Sequence, residues 1–148
     1  MKYSTKLSDA IHILALIHLD VLNDLTSKTI AISVHTNPAF VRQIMLLLRR
    51  GGIIHSVKGH AAPDLSRTPE EITLLDVYKA IEGDKPLLHL DTHTNPECGV
   101  GVNIQLSLQQ YYDRVQQKAE EEMANITLKD IIDTYRTLLD KQTTKIML

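Results

Sequence analysis

Apolar residues return every three or four positions along most of this chain, so it reads as a mainly α-helical protein. From about Thr5 to Asp24, the residues Leu7, Ala10, Ile11, Leu14, Ile17, Leu19 and Val21 form a broad stripe that predicts one largely buried helix. Ser27, a residue type that caps helices, opens a short second helix with Ile30, Ala31 and Val34 inward, running out at His35-Thr36. A third helix starts at Asn37-Pro38, where Asn37 can cap and Pro38 at the first helical position forfeits no hydrogen bond. It continues through Val41, Ile44, Met45, Leu47 and Leu48 to Gly51-Gly52, which supply the left-handed backbone that closes helices.

The pattern then changes. Ile53 to Val57 is a β-branched run, Lys58 to Pro63 a basic turn, and Leu65 to Arg67 a returning strand. Two short helices joined by a tight turn and followed by a hairpin outline a winged helix-turn-helix, whose second helix enters the DNA major groove. A fourth helix begins at Ile72-Thr73-Leu74-Leu75-Asp76-Val77, where Thr73 caps, Asp76 reaches back and Ile72 staples to Val77, and it closes at Gly83. The same device at Ile126 to Ile131 opens a helix to about Asp140, with no longer internal repeat around it. Asp84 to Cys98 has no periodicity and holds Pro86 and Pro96, so it reads as a loop. Val100 to Met123 is the longest predicted helix, a rod of ~36 Å, with Ile104, Leu108, Tyr111 and Val115 at coiled-coil spacing. That seam fits a second copy of the chain or the chain's own first helix. The expected organisation is mainly α with a small β wing: residues 1–83 a DNA-binding head, 84–98 a connecting loop, and 99–148 a dimerisation helix and C-terminal helix.

Charge sharpens this reading. The 148 residues suit one compact domain, and their net charge of −2 hides an asymmetry. No carboxylate occurs from Leu25 to Pro63, although the chain has 18, and that stretch holds Lys28, Arg42, Arg49, Arg50 and Lys58. It therefore carries +5, leaving −7 for the remainder, and a basic insert in an acidic body points to a polyanionic partner. One cysteine makes no intramolecular disulfide, no cleavable apolar leader precedes the first charges, and the apolar run Ile11–Leu19 is too short to span a bilayer. The expectation is a cytoplasmic protein without a membrane segment. Neither a G-x-S-x-G elbow, a phosphate-binding glycine loop nor an H-E-x-x-H pair is present, so no enzyme is expected.

The order Leu7-Ser8-Asp9-Ala10-Ile11-His12, Ile30-Ala31, Thr36-Asn37-Pro38-Ala39-Phe40-Val41-Arg42, Gly52-Ile53-Ile54, Ser56-Val57-Lys58-Gly59 and Ile72 to Val77 resembles the Rrf-two family of bacterial winged-helix repressors. That family includes the iron–sulfur regulators IscR and NsrR and the cluster-free regulator CymR. The likeness extends through Asn95 to Gly101 into the long helix and looks most like the YwnA branch. It implies a homodimer whose long helices cross, with two heads on successive major grooves of a near-palindromic operator, half-sites ~34–36 Å apart. Carried over by position, base reading falls to Ala39, Phe40 and Arg42, with Asn37 and Pro38 at the helix tip. Arg42 can donate two bonds to guanine or clamp a phosphate; Phe40 can touch a thymine methyl, but its stripe with Ile44 and Leu47 favours the core. Ser27, Lys28 and Thr29 are placed to hold phosphate, and Lys58, beside His60, matches a minor-groove residue. The wing departs from the pattern at Ala61-Ala62-Pro63-Asp64, where many relatives carry glycines and an aromatic.

Iron–sulfur members draw three cysteines from the loop before the long helix. Here Cys98 is alone, with Thr92 and Ile104 at the flanking spacing, so no cofactor is expected. Cys98 reads as a plain helix-start residue, as a redox or ligand-sensing thiol activated by the helix terminus, or as a metal ligand with His89 and His93. His12 and His18 read as satisfied or partly exposed core histidines. The function expected from the whole is a sequence-specific transcriptional regulator binding double-stranded DNA as a homodimer. The alternative is a winged-helix module whose basic face docks an acidic protein.

Overall fold

A computed structural model describes residues 4–56 and 62–147. Among these residues six helices and a two-stranded sheet follow in the order α1 (Lys6–Leu19), α2 (Ser27–Val34), α3 (Pro38–Arg50), β1 (Ile54–Ser56), β2 (Pro63–Leu65), α4 (Leu74–Glu82), α5 (Gly99–Ala124) and α6 (Leu128–Ile146). A single 3₁₀ turn at Pro69–Glu71 precedes α4. The core joins Ile13, Leu14 and Ile17 of α1 to Ile30 of α2, Val41, Ile44 and Leu48 of α3, Val77 of α4, and Leu128 and Ile132 of α6. Helix α1 is its axle, packed on α2, α3, α4, β2 and α6.

Several boundaries differ from the pattern-based ones for local reasons. Helix α1 stops at Leu19 rather than near Asp24, because Asp20 adopts a left-handed conformation (φ 50°) whose N–H returns to the Leu16 carbonyl. Val21 thereby leaves the apolar stripe and is exposed. The cap of α2 is Thr26, not Ser27: its hydroxyl accepts the Thr29 N–H, and Ser27 becomes the first helical residue. At α3 the expected cap is present, with Asn37 Oδ1 accepting the Phe40 N–H at 2.9 Å. Gly52, at φ 71°, supplies the left-handed turn. Gly51 has ordinary helical angles and serves differently, since a Cβ there would sit 2.7 Å from Ala80 Cβ. Its hydrogen side chain sets how closely α3 approaches α4.

The returning wing strand begins at Pro63, two residues earlier than the pattern implied, in the antiparallel register Ile54↔Leu65, His55↔Asp64 and Ser56↔Pro63. Helices α4 and α6 both begin with reciprocal capping. Thr73 and Thr127 accept the N–H of Asp76 and Asp130, and each carboxylate accepts its cap's N–H at 2.9 Å. The two copies of this device also bond to each other, Leu74 N–H to the Ile126 carbonyl and Leu128 N–H to the Ile72 carbonyl, both at 2.8 Å. Two otherwise local motifs thus become an antiparallel bridge joining the start of α6 to the start of α4. Helix α6 runs on to Ile146, past the expected Asp140.

Candidate nucleic-acid interface

The most amphipathic surface element is α3. Its inward face, Val41, Ile44, Met45 and Leu48, is buried, which fixes the opposite face outward. Ala39, Arg42, Gln43, Leu46, Arg49 and Arg50 are all exposed there, without a carboxylate among them. Asn37 is also exposed, so the helix tip is uncovered. Phe40 turns the other way and packs half-buried against the core, as its stripe with Ile44 and Leu47 indicated. Pro38 is half-buried at the first turn. Gln43 was not among the expected contacts, although its place four residues after Ala39 puts it on the same face. Its amide suits the N6 and N7 edge of adenine.

Helix α2 supports α3 from behind. Arg42 Nη1 donates to Ser27 Oγ at 3.2 Å, a bond made possible because Thr26 rather than Ser27 carries the cap. The sequence pattern could not show this pairing across the turn. Lys28 is exposed beside it, and Thr29 is held by the Thr26 hydroxyl at 3.0 Å. Asp24 Oδ1 accepts both the Thr26 N–H and hydroxyl, at 3.0 and 2.7 Å. Hydrogen bonds from the hydroxyls of Thr29 and Thr26, and then from the Thr26 amide, hold the Asp24 carboxyl below its ordinary pKa. This network rigidifies the start of α2 at the edge of the basic face. Lys58 and His60, the expected wing contacts, lie outside the described residues.

Away from the head, Cys98 caps α5: its Sγ accepts the Gly101 N–H at 3.4 Å, and the residue is exposed. His89 and His93 are exposed as well. Among the described residues no three His, Cys, Asp or Glu side chains stand close enough to hold a metal ion, so the His89, His93 and Cys98 set does not assemble within the chain. The loop is tied down by glutamines instead. Gln116 Oε1 accepts the Leu87 N–H at 2.9 Å and Gln105 Oε1 the Asp91 N–H at 3.0 Å. Gln116 Nε2 also donates to the Tyr78 hydroxyl at 3.1 Å, and that hydroxyl donates to the Lys85 carbonyl at 3.0 Å.

Helix α5 lies against α4, not along α1 as one reading of its seam had it. None of its 26 residues is buried, and Ile104, Tyr111 and Val115 remain about half exposed, at 52%, 52% and 49%. Leu108 is half-buried. Among the described residues no helix is long and apolar enough to cross a membrane.

A basic, acid-free helix presented by a helix-turn-helix, backed by a two-stranded wing, defines a DNA-binding winged-helix transcriptional regulator. The chain matches the model of the Rrf2 family, described as "Iron-dependent Transcriptional regulator", over residues 3–134, and it belongs to that family. It is 38% identical over 130 residues to "Putative HTH-type transcriptional regulator YwnA" of Bacillus subtilis (strain 168), covering 88% of this chain and 96% of that one. A crystal structure of "a putative DNA binding protein" shares 38% identity and superposes with a TM-score of 0.69, over 86% of this chain and 98% of that chain. CymR (YrzC), the global cysteine regulator of B. subtilis, shares the fold, with a TM-score of 0.63 at 20% identity over 90% and 98% of the two chains.

The iron in the family description has a chemical test here. Thiolate ligation of a cluster draws on several cysteines. This chain has one, and its sulfur already caps a helix. The donor set does not fit such a cluster.

Proposed function

We propose that the protein is a homodimeric repressor that binds a near-palindromic operator in double-stranded DNA and works without a thiolate-held iron–sulfur cluster. The observation that carries the proposal is the outward face of α3, where Ala39, Arg42 and Gln43 stand uncovered near the helix tip on a surface free of carboxylates. Arg42 and Gln43 read base edges, Ser27, Lys28 and Thr29 at the start of α2 hold the backbone, and Lys58, beside His60, reaches the minor groove. The Ser27 bond keeps the Arg42 guanidinium close to that phosphate-holding edge, so its second role is as a clamp. Residues 1–83 act as the reading head, 84–98 as the connection, and 99–148 as the dimer arm, with Ile104, Leu108, Tyr111 and Val115 at the contact between copies. Cys98 is read as a structural cap.

Titration of a labelled fragment of the protein's own promoter region tests this by fluorescence anisotropy. Binding should fall steeply with salt as counterions are released, and a scrambled fragment should bind far more weakly. No binding at low salt would overturn the proposal in favour of a basic face that docks an acidic protein.

A further inference from the structure

Leu46 is the one large apolar side chain of α3 that the core leaves out. Val41, Ile44, Met45 and Leu48 are buried, and Phe40 and Leu47 pack half-buried against the cluster, whereas Leu46 stands outside it, 42% exposed. A single apolar residue on a protein surface is ordinary. This one is set apart by its neighbours. Helical spacing puts Arg42 and Gln43 one turn before it and Arg49 and Arg50 one turn after it, all four exposed and three of them cationic. Once these longer side chains reach phosphates and base edges, the leucine between them is carried into the groove they enclose.

We infer that Leu46 reads a thymine of the operator by burying its C5 methyl group, which makes it a specificity residue beside Arg42 and Gln43. The inference rests on the operator-binding reading above and deepens it. The thymine methyl is the apolar group in the code that the major groove presents, and an isobutyl side chain can make no hydrogen bond to the rest of it. A cytosine in the same place would put its N4 amino group under the leucine with no acceptor, so the contact also selects against the other pyrimidine. The helix fixes roughly where the thymine lies. Seven residues separate Leu46 from Ala39, a distance of ~10 Å along the axis, or about three base-pair steps. The thymine therefore falls within about three base pairs of the base nearest the helix tip.

The test removes the methyl from the DNA and the side chain from the protein separately. The operator is first defined by selection from random duplexes with the full-length protein. Each thymine of the half-site is then replaced by deoxyuridine, which deletes one methyl and leaves every hydrogen-bonding group in place. At one thymine the wild-type affinity should fall roughly fourfold, the worth of burying one methyl, and roughly fifteenfold when both half-sites are substituted. Leu46→Ala, at an exposed site that suits alanine, should keep its helix content and bind the thymine operator as weakly as wild type binds the uracil one. At that position it should not distinguish the two bases. A wild type indifferent to every deoxyuridine overturns the inference and leaves operator binding standing. So does a Leu46→Ala protein that keeps the methyl response, or one that loses affinity equally for the operator and a scrambled duplex. A wild-type protein that binds no duplex at low salt overturns both readings.

Discussion

Adding one methyl group at Gly51 should destabilise the protein even though the backbone there, at φ −76° and ψ 0°, suits alanine. The new Cβ would lie 2.7 Å from Ala80 Cβ, closer than carbon atoms approach, and 3.4 Å from the Leu47 carbonyl oxygen. Ala80 has no rotamer with which to yield, so α3 and α4 must separate. Overpacking of this kind costs ~1–3 kcal/mol. Replacing a glycine also returns ~0.4–1 kcal/mol through the unfolded chain. The net expectation for Gly51→Ala is a loss of about 1–2 kcal/mol, read as a lower urea midpoint at unchanged slope and fixed protein concentration. Ala80→Gly removes the obstacle but costs ~1 kcal/mol of helix propensity on its own. In the double variant the clash is gone, so its loss should be smaller than the sum of the two single losses by the clash itself, ~1–3 kcal/mol. Additive losses, or a Gly51→Ala protein as stable as wild type, would refute the claim that this contact sets the α3–α4 distance.

Arg42→Ala should weaken operator binding by ~1–3 kcal/mol and relax preference at one base position, whereas Lys28→Ala should weaken all sequences alike and flatten the salt dependence; equal losses from Arg42→Ala on operator and random DNA would leave it a clamp only. Leu108→Asp should give monomers by light scattering that bind the operator poorly, and a fully dimeric, fully active variant would refute the seam. The Asp24 and Asp130 carboxyls titrate below the ordinary value in the folded chain, the first held by the Thr29 and Thr26 hydroxyls and the second by the Thr127 amide and hydroxyl. A folded-state pKa lowered in this way contributes stability above the unfolded value that is lost as pH falls through the folded one. Asp24→Asn should therefore flatten the acid limb of a stability profile below the normal carboxylate range, and a carbon-detected NMR titration placing Asp24 at or above that range would contradict its network.

Most of what depends on neighbours within about four residues was legible in the sequence, the cap of α2 excepted, where Thr26 rather than Ser27 takes the Thr29 N–H. Asn37 and Pro38 start α3, Thr73 with Asp76 starts α4, and Thr127 with Asp130 starts α6, because a side chain that caps a helix reaches only its own first turn. The absence of acids from Leu25 to Pro63 could likewise be read directly, and helical period alone assigns Arg42 and Gln43 to the outward face once the inward one is known. Where an element stopped was less legible. Val21 continued the apolar count, but the Asp20 turn broke the helix before it.

What tertiary structure decided were contacts between residues far apart in the chain. It joined Ser27 to Arg42, set Gly51 against Ala80, paired the Thr73 and Thr127 caps into one bridge, and laid α5 on α4 rather than α1. None of these follows from periodicity, since a repeat of three or four residues states which face of a helix seeks cover but not which surface provides it. That choice is made by how the core closes around α1, and for the seam of α5 and the free end of α6 the core of a single chain leaves the apolar faces open.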